Sequence, residues 1–157
     1  MRVFKYCTIF IFIISLCSCG KDEFFNQDKA IENGAWDFKN KIEFTVDVTD
    51  TTSFYDFYID FRHNDSYEYS DIYFFFTCEF PNGKQAKDTI RYIMQDIEGK
   101  WFGKNTGSLI ENHMLIMNRR KTRFPNSGKY KFSISHAMRD EKLNGIEDVG
   151  LTISKKE

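Results

Sequence analysis

Hydrophobic and polar residues along most of this chain alternate with a period of two. Ile42, Phe44, Val46 and Val48 fall on one side with Glu43, Thr45 and Asp47 opposite, and Tyr55, Phe57, Ile59 and Phe61 repeat the pattern against Asp56, Tyr58, Asp60 and Arg62. That period is the side-chain geometry of a strand with one buried face. Residues 71–80 (DIYFFFTCEF) are apolar on both sides in their middle, which predicts a central strand. Pro81-Asn82-Gly83 then predicts a reversal, because Pro presets the first turn angle and Gly accepts a positive φ. Residues 86–94 return as the partner strand of a hairpin. Residues 99–107 and 119–128 read as a glycine-rich loop and a basic loop, and Tyr130–Met138 and Val149–Ile153 alternate again. Residues 109–118 fit strand and helix spacing alike and are taken as a strand.

Seven or eight short strands without a long amphipathic helix predict an all-β domain. The expected architecture is an antiparallel β-sandwich, jelly-roll or immunoglobulin-like, with a small barrel as second choice. Composition agrees, with 41% apolar and 17% aromatic residues, too hydrophobic for a disordered chain. Beyond residue 18 stand 14 Phe, 7 Tyr and 2 Trp, whose rings suit the layer of about 10 Å between two packed sheets.

The N-terminus breaks the strand pattern. A basic stretch (Arg2, Lys5) precedes an apolar run to Ile14, which is shorter than the roughly 20 residues of a membrane-spanning helix. This is a signal-peptide layout. Leu16-Cys17-Ser18-Cys19 resembles a bacterial lipobox, which makes residues 1–18 a lipoprotein signal peptide and Cys19 the acylated first residue of the mature chain. Lys21-Asp22-Glu23 resembles the export signal that carries lipoproteins of Bacteroidetes to the outer face of the outer membrane, with the periplasmic leaflet as the alternative. Residues 19–35 are expected to be a lipidated, flexible tether and residues 36–157 the sandwich. Once the signal is gone, Cys78 is the only unmodified cysteine, so the core must hold the domain without a disulfide.

Charge excludes one class of partner. Loss of Arg2 and Lys5 leaves 20 basic against 23 acidic groups, a net of −3, the wrong balance for a nucleic-acid protein. His63, His113 and His136 lack a second ligand at zinc-like spacing, so neither a metal nor another cofactor is expected. His136 reads as a hydrogen-bonded core imidazole and Cys78 as an inert buried thiol. Asp56 and Asp60 share a strand face, which suits a carboxylate pair, calcium ligands or, more simply, a solvated face. No catalytic motif stands out. Two surfaces remain as candidates for interaction: the tyrosines Tyr58, Tyr67 and Tyr69, taken as outward-facing, and the basic loop with Arg119, Arg120 and Arg123.

Several motifs in order resemble the gliding-motility lipoprotein family GldH of Bacteroidetes. They are Trp36, Arg62 with Tyr67-Glu68-Tyr69, Asp88-Thr89-Ile90, the 99–103 segment GKWFG, the 128–132 segment GKYKF, the 136–139 segment HAMR and the 143–151 segment LNGIEDVGL. Ser70-Asp71-Ile72 and Lys104-Asn105-Thr106 depart from the family pattern. The resemblance implies a non-enzymatic outer-membrane lipoprotein acting with other envelope proteins of the gliding or type IX secretion machinery. The alternative reading is a surface lipoprotein that binds glycans on its tyrosines.

Overall fold

In the computed structural model of the chain, residues 23–156 are described; Cys19, Lys21 and Asp22 lie outside them. Two antiparallel sheets pack face to face. In chain order the strands are β1 (Glu23–Ala30), β2 (Ala35–Asp37), β3 (Ile42–Val48), β4 (Phe54–His63), β5 (Asp71–Glu79), β6 (Gln85–Ile93), β7 (Lys104–Thr106), β8 (Leu109–Leu115), β9 (Gly128–His136), β10 (Lys142–Asn144) and β11 (Ile146–Lys156). One sheet has the order β1-β11-β4-β8-β7, the other β3-β9-β5-β6, and β10 pairs with β2 in a short ribbon. The sheets are open, so the architecture is the sandwich and not the closed barrel. Each of the seven periodic segments is a strand, residues 109–115 included.

The inward positions are those the alternation selects. In β3, Ile42, Phe44, Val46 and Val48 are buried while the residues between them are exposed. Phe57 of β4 meets Phe132 of β9 with ring centroids 5.7 Å apart, and Phe61 meets Phe74 edge-on at the same distance. Phe76 stacks on Phe132 at 5.7 Å and 25°. Tyr92 of the edge strand β6 reaches across the layer, its hydroxyl donating to the Leu115 carbonyl at 2.7 Å.

The sandwich has two distinct ends. The N-terminal end gathers Glu23, the start of β4, the end of β11 and the loops at 49–53, 80–84 and 116–127; there Tyr55, Phe124 and Tyr130 interlock with centroids 4.9–5.0 Å apart. The turn between β5 and β6 forms as the sequence predicts, with Gly83 at φ 78°. The opposite end is closed by the β2–β10 ribbon, which buries Trp36 and Leu143, and by the 64–70 loop. Gly145, at φ 78°, lets that loop approach: a Cβ there would stand 2.5 Å from the Tyr67 backbone nitrogen.

Three expectations are corrected. Residues 23–30, predicted as tether, form β1, which pairs with β11 from Ser154 to Asp148, and residues 32–37 continue into a 3-10 turn and β2. The described fold therefore starts at Glu23 rather than residue 36. Four short or edge strands raise the count from seven or eight to eleven among the described residues, β7 lying inside the predicted glycine loop. Tyr67, read as outward, is only 3% exposed, packed on Phe61 and His63 with its hydroxyl donating to the Asp71 carbonyl.

His136 is a core imidazole, its Nε2–H donating to the Trp36 carbonyl at 3.1 Å. Cys78 is buried and burial pushes its thiol up to about 11, far from a reactive thiolate.

Phe132→Ala should destabilise the domain by about 3–5 kcal/mol, read as a lower urea midpoint with an unchanged slope. Burial holds the pKa values of both His63 and His136 below the ordinary imidazole value. As pH falls, the unfolded chain takes up these protons first, so the stability present above about pH 6.5 is lost beneath it. The melting temperature should be lower at pH 5.5 than at pH 7.5, and the drop smaller in His136→Gln.

Candidate functional site

The outer face of the five-stranded sheet carries a polar cleft of about 440 Å³. Strand register builds it. Asp28, Gly150, Asp60 and His113 lie side by side across β1, β11, β4 and β8, and Ala30, Asp148, Arg62 and Glu111 form the next row. Lys104 of β7 extends that second row beyond Glu111. Gly150 is the floor of the trough: a Cβ there would collide with the Asp28 carboxylate.

The charges on this face are tied across strands. His113 donates from Nδ1 to one oxygen of Asp60 at 2.5 Å and the Thr152 hydroxyl donates to the other at 2.5 Å. Arg62 donates from Nε to Asp148 at 2.6 Å, its terminal nitrogen engages the same carboxylate, and Glu111 lies 3.8 Å away. Partial desolvation against the cleft floor and then the neighbouring Asp60 and Asp148 raise the pKa of Asp28. That of Asp148 is also raised, burial outweighing the hydrogen bond from Arg62. Five acids (Glu23, Asp28, Asp60, Glu111 and Asp148) against Arg62 and Lys104 leave the cleft an acceptor of hydrogen bonds and positive charge.

The order of groups decides its chemistry. In a nucleophile relay the imidazole lies between hydroxyl and carboxylate. Here Asp60 lies between Thr152 and His113, so the carboxylate orients both groups and the imidazole does not face the hydroxyl. Among the described residues, no group of three or more His, Cys, Asp and Glu is arranged to hold a metal ion.

The residues singled out from sequence do not form one surface. Tyr58 lies on the cleft face, half-buried, with one ring face covered by His113 at 4.1 Å and 14°. Tyr69 is at the opposite end, edge-on to the buried Tyr67 and hydrogen-bonded to Asp140. Arg119, Arg120 and Arg123 share one loop at the N-terminal end: Arg119 pairs with Asp88 at 2.9 Å, Arg123 lies over the Phe54 ring at 4.1 Å, and Arg120 is exposed. Asp56 and Asp60 part company, because Asp56 is buried against the Lys121 backbone N–H (2.8 Å) and Lys156, while Asp60 enters the cleft. Asp28, Glu111, Asp148 and Thr152 escape a reading by sequence; their one visible signal is polarity at outward strand positions.

Comparison with known proteins gives a consistent answer. The family model described as GldH lipoprotein matches residues 23–153. The chain is 35% identical over 157 residues to the gliding motility lipoprotein GldH homolog of Christiangramia forsetii, covering 95% of this chain and 94% of that protein. It is 28% identical over 164 residues to the gliding motility lipoprotein GldH of Flavobacterium johnsoniae, covering all of both.

Arg62→Ala leaves the Asp148 carboxylate, 7% exposed, without its guanidinium and beside other acids. A loss of about 1–3 kcal/mol is expected, measured by denaturation at pH 7, and Arg62→Ala/Asp148→Asn should recover part of it.

Proposed function

The chain belongs to the GldH lipoprotein family, and from that premise we propose that it is a non-catalytic outer-membrane lipoprotein that supports gliding motility, or the associated type IX secretion machinery, by binding other envelope proteins. The order of groups in the cleft carries the reading. A carboxylate that clamps a hydroxyl on one side and an imidazole on the other makes a preorganised polar surface suited to recognition. The acyl chains reside on Cys19, and the signal for the outer leaflet on Lys21, Asp22 and Glu23. Glu23 is exposed at the first position of β1, so the signal runs into the domain with no spacer after it.

The glycan reading loses its platform of three tyrosines, since Tyr67 is buried and Tyr58 has one ring face covered. A protein partner matches the acidic cleft, which would receive Lys or Arg side chains.

Cys19→Ala should move the protein out of the membrane fraction and fail to restore spreading in a gliding host that lacks the wild-type chain. Retention in the membrane would refute the lipobox. Replacing Lys21, Asp22 and Glu23 with neutral residues should keep the protein membrane-bound while protecting it from protease added to intact cells; unchanged cleavage would refute the export signal.

A further inference from the structure

The anchor and the basic loop lie at the same end of the sandwich. Cys19 precedes Glu23 by four residues, which span at most about 14 Å, and Glu23 pairs with Ser154 where β11 ends and β4 begins. The loops and strand ends there carry Lys84, the four cations of residues 119–123, Lys129, Lys155 and Lys156, opposed by Glu23, Asp47, Asp50, Asp56 and Glu79. Asp50 is neutralised by Lys155 at 2.9 Å, Asp56 by Lys156 at 3.4 Å, Glu79 by Lys131 at 3.5 Å and Arg119 by Asp88, and Asp47 stands opposite Lys129 in register, so the surplus sits on Lys84, Arg120, Lys121 and Arg123 against Glu23. The loop is held in place: Thr122 bridges to Tyr55 through two 2.9 Å backbone hydrogen bonds, and Lys121 adopts φ 49° while its N–H is fixed by Asp56. Phe54, 39% exposed, lies beneath Arg123. The opposite end has the reverse sign, with Glu32, Asp65, Glu68, Asp96, Glu98, Asp140 and Glu141 outnumbering its lysines and arginines.

We propose that the N-terminal end of the sandwich is a membrane-docking face, on which Arg120, Lys121 and Arg123 engage the phosphates of anionic lipid headgroups and Phe54 enters the interface. This rests on the reading of Cys19 as the lipidated residue. A bilayer with negative surface charge attracts this end and repels the other, and the short reach from the anchor keeps the cationic loop within headgroup distance. The domain then stands on the membrane with the acidic end outermost and the cleft facing sideways.

The test uses the mature protein purified from membranes and reconstituted into vesicles of phosphatidylcholine alone or with 30% phosphatidylglycerol. A fluorophore is attached at Asn82→Cys, in the β5–β6 turn of the N-terminal end, or at Ile97→Cys, fully exposed at the opposite end; Cys78 is buried and does not compete. Nitroxide-headgroup lipid should quench the residue-82 label strongly and the residue-97 label weakly in anionic vesicles. Neutralising all three cations (R120Q/K121Q/R123Q) should lower the docked-to-undocked ratio roughly a hundredfold, as should 0.5 M salt in direction. Equal quenching at both ends, or asymmetry untouched by R120Q/K121Q/R123Q in a protein whose melting temperature is unchanged, overturns the docking face. The mass of the N-terminal peptide reports the anchor separately. An unacylated protein that still shows the asymmetry on anionic vesicles refutes the lipobox and keeps the face; an acylated protein with equal quenching refutes the face and keeps the anchor.

Discussion

Aromatic rings interlocked between two sheets hold this domain together, and every other feature depends on them. Phe57, Phe61, Phe74, Phe76 and Phe132 meet mid-layer, and Tyr55, Phe124 and Tyr130 continue the contact to the N-terminal end. Such rings bury large areas and prefer edge-on or offset contacts that fix the spacing of the sheets. Cys78 is the only free thiol among the described residues and no crosslink assists, so rigidity comes from packing. With the sheets fixed, the outer face of one of them holds a charge network whose members come from four strands.

That network and the two ends divide the surface into zones of different sign. The cleft is acidic and tied into cross-strand pairs, the N-terminal end is basic, and the opposite end is acidic again. The zones arise from loops and outward strand positions, where burial places no demand on side-chain type. A single rigid body thus presents different electrostatic faces in different directions. In the proposed arrangement the membrane and a protein partner meet different faces of that body.

Where the fold was legible in sequence, one-sided burial was the reason. Strand β3 alternates because its outer face is wet, and the continuous apolar run of β5 marks an interior strand of its sheet, buried inward and half-buried outward. Strand β1 carries no such mark: its pattern is exposed throughout apart from half-buried Phe24 and Phe25, and it becomes a strand only by pairing with β11 more than a hundred residues away. Tyr67 looked like a surface aromatic because loop residues have no periodicity to reveal which way they point; its burial follows from Gly145, which lets the loop fold over the end of the core. The cleft was hidden for the same reason as β1. Asp28, Asp60, His113 and Asp148 become neighbours through register, which short-range pattern does not encode.

The edge position of β1 has a mechanical consequence. A pull transmitted through the residues before Glu23 enters β1 along its own axis, while the rows of β1–β11 hydrogen bonds from Glu23 to Ala30 lie across that axis. Force in this direction loads the rungs together in shear, instead of opening them one by one as it would if the strand were peeled from its other end. Under the proposed anchoring, tension from the bilayer would be taken first by this strand, the element whose sequence advertises it least.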